Sequence, residues 1–532
     1  MKPTRLLYNG EIHTFDDAYS IQNAVAIENS RILAVGDYSQ IKDLKSPSTE
    51  LIDLKGSCVL PGFTDAHIHL QQYALTLEYV DCETETREAC LEGVREQAAA
   101  TPRGVWIRGH GWNQNIWDRY GTRADLDAVA PENPVYLTAK SLHAAWVNSY
   151  ALSEASLDDN SIDPPRGELA RNADGSLSGI LFEDAMQLVS QKIPPASQEQ
   201  VVKAIKRAQE ELLMLGITSV HDFDGPTCFA ALNHLRQAGE LRLRVVKNLQ
   251  RESLEAMLDL GLASGVGDLQ LRIGNLKLFA DGALGPQTAA MLEPYEGSDS
   301  EVGMLTEDEE ALTAIGRAAT NAGIGLAIHA IGDRANREVL NAFEKLIAER
   351  SARGLPALQH RMEHLQLLHP DDIDRPGKLG IAASMQPIHA ISDMDMAETK
   401  WGVRARTSYA WKSQLMAGAK LVFGSDAPVE NPNPFPGIHA AISRRKPDGA
   451  PGPEGWIPEE RLSLREALTA YIRTPPEIVG WGSALGQILP GYLADFVILS
   501  ERPLDIVDEW LMTKPIGVMA NGIWVVSFEQ SS

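Results

Sequence analysis

Eight short apolar runs limit the folds open to this chain more than any other feature. They are CVLPGFTDAHI (58–68), GITSVHDF (216–223), RLRVVKNL (242–249), LRIGNLKLF (271–279), GIGLAIHAI (323–331), HRMEHLQL (360–367), GIAASMQP (380–387) and KLVFGSDAP (420–428). Helical stretches such as EQVVKAIKRAQEELLML and TEDEEALTAIGRAATNAG separate several of them. Continuous apolar runs alternating with amphipathic helices are what a parallel sheet buried on both faces requires. Eight such units predict an α/β fold with a closed (β/α)8 barrel, and an open doubly wound sheet is the alternative.

Two departures from a bare barrel are visible. The first and second strands lie about 150 residues apart, far beyond a normal connection. Residues from about 75 to about 200 are therefore expected to form an inserted subdomain after strand 1, capping the barrel mouth. Residues 1–58 read as short strands with Asn-Gly and Asn-Ser turns, and residues 482–532 have the same character, including the Asn521-Gly522 hairpin signal. The two ends are expected to form one small β-sandwich, leaving 59–481 for the barrel. KPDGAPGPEGWIP (446–458) reads as a long surface loop after the eighth strand.

Charge and cysteine content exclude several partners. A net charge of −24 repels nucleic acid and anionic membrane, so neither is expected as a partner. The four cysteines, Cys58, Cys82, Cys90 and Cys228, form no CxxC pair, so neither a disulfide framework nor a thiolate zinc site is indicated. No apolar run reaches the ~18 residues that span a membrane. The N-terminal MKPTRLLYNGEIHTFDD turns polar before a signal core can form, and a cytoplasmic protein is expected.

Six residues fall at or just past the C-terminal ends of these strands: His67, His69, Lys277, His329, His364 and Asp426. In a parallel barrel those ends converge on one face. His67 and His69, in DAHIH, are two apart on an extended strand and face the same way, so both imidazoles can hold one cation. His329 and His364 end consecutive strands. Asp426 leaves a buried strand and needs a partner, because an unpaired buried charge is costly. A metal, or a water on it, would supply one. Lys277 either pairs with an acid such as Asp281 or, deprotonated, takes up carbon dioxide as a carbamate.

The matching segments LPGFTDAHIHL, LHAAWVNSYAL, GITSVHDF, LKLFADGALG, AIHAIGDRA, RMEHLQLLHPDDI, FGSDAPVENPNPFPGI and GYLADFVIL run in order from residue 60 to residue 499. Together they resemble the amidohydrolase superfamily, and more closely its YtcJ-like branch, which includes N-substituted formamide deformylases. The resemblance implies a distorted (β/α)8 barrel and a small-molecule substrate. It implies one or two divalent metals, zinc first, with iron or manganese able to fill the same donors. His67, His69 and Asp426 would hold one metal, His329 and His364 the other, and an N6-carboxylated Lys277 would bridge them. Relatives are often homodimers. Pro286-Gln287 stand where close relatives would carry Ser-Arg.

The reaction expected is hydrolysis of an amide, formamide or related N-acyl C–N bond. A metal-activated water attacks, and Asp426 acts as general base and then general acid. His143, His110, Trp112 and His389 are candidate substrate contacts, as is Trp117, although packing within the insertion would also account for the tryptophans. His221 is placed behind the site without a ligand role. Two other readings compete. One is a mononuclear deaminase, in which Asp333 would stand in for the usual glutamate. The other is a catalytically silent binding scaffold, which would not need six retained metal donors.

Overall fold

The computed structural model describes residues 2–528, apart from 118, 141–142, 166 and 501–505. The chain forms two compact units, Met1–Tyr73 with Ile205–Ser532, and Ala74–Ala204. Among the described residues no helix is long and apolar enough to cross a membrane.

The first unit contains a parallel eight-stranded barrel. Its strands are Phe63–Ile68, Ile217–Asp222, Arg244–Gln250, Leu271–Phe279, Leu326–Ala330, Arg361–His364, Ala382–Met385 and Lys420–Phe423. Each pairs in parallel with the next in chain order. All six residues of the first and second strands are buried, as strands covered on both faces must be. Helices fall where the sequence periodicity places them. Gln198–Met214 precedes the second strand, and Glu309–Asn321 starts on Asp308, whose side chain accepts from Ala311 N at 2.9 Å.

The eighth strand joins no ladder with the first among the described residues. Other hydrogen bonds seal that seam. Asp65 accepts from Ser425 N at 3.0 Å and from the Ser425 hydroxyl. Asp426 N donates to His67 O at 2.7 Å, and His69 N donates to Ala427 O at 2.9 Å. Gly424 is required here, because a Cβ on it would collide with His67 N.

The two chain ends build one continuous eight-stranded sheet beside the barrel. Its order is Ile523–Val526, Pro515–Ala520, Phe496–Leu499, Cys58–Pro61, Arg5–His13, Ile21–Glu28 and Arg31–Gly36, with Glu50–Asp53 paired to Arg5–His13 off this path. Alternation along the strands gives it two apolar faces, one carrying Leu7, Val25, Ile27, Val59 and Phe496, the other Leu6, Ala24 and Ala26. The last hairpin turns on Asn521 and Gly522, both at positive φ (55° and 73°), as a two-residue primed turn needs. The run 58–68 therefore serves two sheets: Cys58–Pro61 pairs with Phe496–Leu499, and Phe63–Ile68 enters the barrel. A buried ion pair joins the two sheets, with Arg244 on Asp495 at 2.7 and 3.1 Å.

The second unit has its own six-stranded sheet, ordered Gly167–Arg171, Leu177–Glu183, Ala144–Val147, Val135–Ala139, Ile107–Trp112 and Val80–Asp81.

Candidate metal centre

His67, 1% exposed, is the next-to-last residue of the first barrel strand, and His69 lies one residue past the strand's end. Each imidazole is held from behind through Nδ1. His67 Nδ1 donates to Glu363 Oε2 at 2.6 Å, and His69 Nδ1 donates to Asp224 Oδ1 at 3.2 Å. A carboxylate can only accept, so these bonds put the proton on Nδ1 and leave the Nε2 lone pair free. Both free atoms face one oxygen. Asp426 Oδ1 lies 3.5 Å from His67 Nε2 and 3.4 Å from His69 Nε2.

Asp426 reaches that position through left-handed backbone (φ 60°), and His364 also has positive φ (76°). Such conformations cost about 1–3 kcal/mol each and persist where the surroundings enforce them. Burial raises the Asp426 carboxyl above its ordinary range, against the opposing pull of His389, His69 and Lys277.

Behind His67 lies a buried polar network. Arg361 donates to both oxygens of Glu363, to Ala66 O at 2.7 Å and to Ser384 Oγ at 2.7 Å. Its Nη1 donates to His221 Nδ1 at 2.9 Å, which places His221 behind the site. Burial would raise Glu363, but Arg361 and Lys277 outweigh it and hold the carboxyl below its usual range. Behind His69, Asp224 also accepts from Gln71 N and Gln72 N. Lys247 donates to Asp222 at 2.6 Å and to the Asp224 carbonyl. Phe223 stacks on His67 with centroids 4.1 Å apart.

Lys277 Nζ lies 4.8 Å from the Phe223 ring centre and 4.7 Å from that of Phe279. Burial brings its pKa down to about 8, against Glu363 and Asp426, which raise it. Asp281 is not its partner. That carboxylate instead accepts from the backbone N–H groups of Ala290, Ile331 and Gly332 at 2.8–3.0 Å.

His364 and His329 have ring centroids 4.6 Å apart. His364 Nδ1 donates to Gln386 Oε1 at 2.9 Å, leaving Nε2 free, whereas His329 Nε2 donates to Gly282 O at 2.9 Å. His389 stacks on His364 with centroids 6.3 Å apart. Its Nε2 is buried, makes no hydrogen bond and lies 3.9 Å from Asp426 Oδ2.

Donor atoms therefore gather in two groups within 4.8 Å, His67–His69–Asp426 and His364–His389–Asp426. His329 falls in neither. A third group, Asp222–Asp224–Cys228, has Lys247 as a built-in cation.

His110, His143, Trp112 and Trp117 belong to the second unit. His110 Nδ1 pairs with Thr138 Oγ1 at 2.9 Å, and His143 Nδ1 with Glu183 at 3.0 Å. Trp112 and Trp117 lie in that unit's core, with indole N–H groups on Leu137 O and Thr84 O. Asp333, needed by the deaminase reading, is engaged structurally. It starts the helix Asp333–Ala352 and accepts from Leu292 N at 2.8 Å.

The first donor group fits a divalent cation. Burial pushes His67, and likewise His364, far below the usual imidazole pKa, so these rings are neutral donors. A hydrogen bond from the far ring nitrogen of a ligating histidine to a carboxylate or carbonyl oxygen is the usual mark of a metal site. Sequence reasoning missed Glu363, Arg361 and Asp224. A signal existed for the first two: Arg and Glu two apart in a four-residue buried strand must neutralise each other.

The sequence profile of the amidohydrolase family matches residues 50–526. The chain is 32% identical over 510 residues to YtcJ of Bacillus subtilis, with 94% of each protein covered. It is 28% identical over 521 residues to the N-substituted formamide deformylase of Arthrobacter pascens, again covering 94% of each. Among solved structures, an uncharacterized metal-dependent hydrolase of Pyrococcus furiosus matches with a TM-score of 0.78 and 30% identity, over 94% of this chain and all of that one.

Proposed function

This chain belongs to the amidohydrolase family, metal-dependent hydrolases of carbon–nitrogen bonds, and we propose that it cleaves an amide, formamide or related N-acyl bond around a cation held by His67, His69 and Asp426. One observation carries the reading: two histidines, each locked through Nδ1 onto a buried carboxylate, turn their free Nε2 atoms onto one oxygen of Asp426. A divalent cation such as zinc, when bound, supplies a lowered water pKa and a polarised carbonyl.

The protein's own groups do the rest. Asp426 takes the proton from the attacking water and delivers it to the leaving nitrogen, so one carboxylate acts as base and then acid. Glu363 and Asp224 hold the two imidazoles in one tautomer throughout. Lys277 gives a fourth donor if its neutral amine adds to carbon dioxide and sheds a proton to solvent, exchanging a cation for a carbamate.

The relative from Arthrobacter pascens is named for N-substituted formamides, so these, with N-acyl amines, are the substrates to try first. Protein stripped of metal is expected to lose turnover and regain it on adding zinc. Asp426→Asn is expected to lose turnover by about 10³-fold even when metal-loaded. Full turnover in that variant would end Asp426's role as the proton carrier.

A further inference from the structure

We propose that His389 Nε2 accepts the N–H of the substrate's leaving nitrogen, so that the enzyme favours amides that keep a hydrogen on that nitrogen over N,N-disubstituted ones. The inference rests on Asp426 being the group that protonates the leaving nitrogen.

Asp426 is two-sided. Its Oδ1 faces His67 Nε2 at 3.5 Å and His69 Nε2 at 3.4 Å, so it is the oxygen turned toward the proposed cation. Its Oδ2 is left to carry the proton, and His389 Nε2 lies 3.9 Å from it. That gap is too long for a hydrogen bond between the two. An atom about 2.8–3.0 Å from each completes a triangle with them, so a single nitrogen of a bound substrate can engage both.

His389 has an atom to spare for this. It is 6% exposed, and its Nε2 is buried and makes no hydrogen bond among the described residues. A buried polar atom without a partner is costly, and a substrate N–H would remove that cost. The fold holds the ring in place. His389 lies in the first turn of the helix Pro387–Trp401, which begins two residues past the seventh strand, and its backbone N–H donates to Gln386 O at 3.1 Å. Its ring stacks on that of His364, with 11° between the two planes.

The path of the protons sets the direction of the bond. Attack of water on the acyl carbon forms a C–O bond and sends one water proton to Asp426. Collapse of the adduct breaks the C–N bond, and Asp426 returns that proton to the nitrogen's lone pair. With its lone pair turned to Oδ2 and its other bonds going to carbon, the nitrogen has only an N–H left for His389. Nε2 is therefore the acceptor. Holding the N–H there keeps the lone pair aimed at Asp426, the orientation that C–N cleavage needs. An N,N-disubstituted amide brings an alkyl carbon to the same place and leaves Nε2 unpaired, and a site built to hydrogen-bond its substrate discriminates strongly against an analogue that cannot.

Matched substrates test this on the zinc-loaded full chain: N-butylformamide with N-butyl-N-methylformamide, and N-butylacetamide with N-butyl-N-methylacetamide. The wild type should show kcat/KM at least about tenfold higher for the member of a pair that has the N–H. His389→Leu should lower kcat/KM for that member by about 10–100-fold and leave its N-methyl homologue within about threefold, so the preference collapses. His389→Gln, whose side-chain oxygen can accept an N–H, should restore part of it. Equal turnover of both members by the wild type, or an equal loss for both in folded, zinc-loaded His389→Leu, overturns the inference and leaves the proposed function standing. If His389→Leu does not fold, the wild-type ratio and His389→Gln decide. No hydrolysis of any N-acyl compound would remove the proposed function and this inference with it.

Discussion

The two sides of the metal centre are held by different chemistry. On the His67–His69 side each imidazole rests on an ionised, buried carboxylate, and those carboxylates are anchored by Arg361 and by backbone N–H groups. On the His364–His389 side, one imidazole rests on a neutral amide and the other has no hydrogen bond at Nε2. Charge-assisted hydrogen bonds are roughly twice as strong as neutral ones. The first side is therefore the more firmly held of the two before any ligand arrives.

Asp426→Asn breaks the comparison outright, because both sides share this residue. Beyond the loss of turnover, zinc affinity in calorimetry should fall by about 10–100-fold, since an amide offers a cation no anionic oxygen. Glu363→Gln should separate the sides. Zinc affinity at His67 is expected to fall by about 10–100-fold, and denaturant unfolding should show about 3–5 kcal/mol lost, because Arg361 is left as an uncompensated buried charge. Asp224→Asn keeps one acceptor for His69 but removes the charge and turns an amide NH2 toward the Gln71 and Gln72 N–H groups, so a loss of about tenfold in zinc affinity is expected. Gln386→Ala should give the smallest effect, a loss of less than about tenfold in turnover, because it removes only a neutral hydrogen bond from His364 Nδ1. Equal losses of turnover in Glu363→Gln and Gln386→Ala would show that the two sides are not independent.

Much of this was legible in the residues. Each of the eight apolar runs contains one barrel strand, because parallel strands must be apolar on both faces and show as unbroken runs. His67, His69 and Asp426 could be found because strand ends in a barrel share a face. The division of 58–68 between two sheets could not be read, since only Gly62 lies between Cys58–Pro61 and Phe63–Ile68 and only tertiary pairing separates them. Nor could the grouping of His389 with His364 and Asp426. His329 sits at a strand end as expected, but which ring nitrogen is free depends on the Gly282 carbonyl, and that follows from the loop's path. Asp281 looked like Lys277's partner from its place in the sequence. It instead serves three backbone N–H groups, a demand set by how the chain turns after two strands.

The seam between the first and eighth strands has a consequence for how the molecule matures. Asp65 and Ser425 are 360 positions apart in the chain, and Asp426 lies just beyond. A nascent chain carries His67 and His69 early, yet Asp426, whose Oδ1 faces both of their Nε2 atoms, comes only after most of its length has been made. Contacts of such long range form late and slowly. The cation that His67, His69 and Asp426 would hold would then act as a clasp, fastening the oldest strand to the youngest and rewarding only a barrel that has already closed.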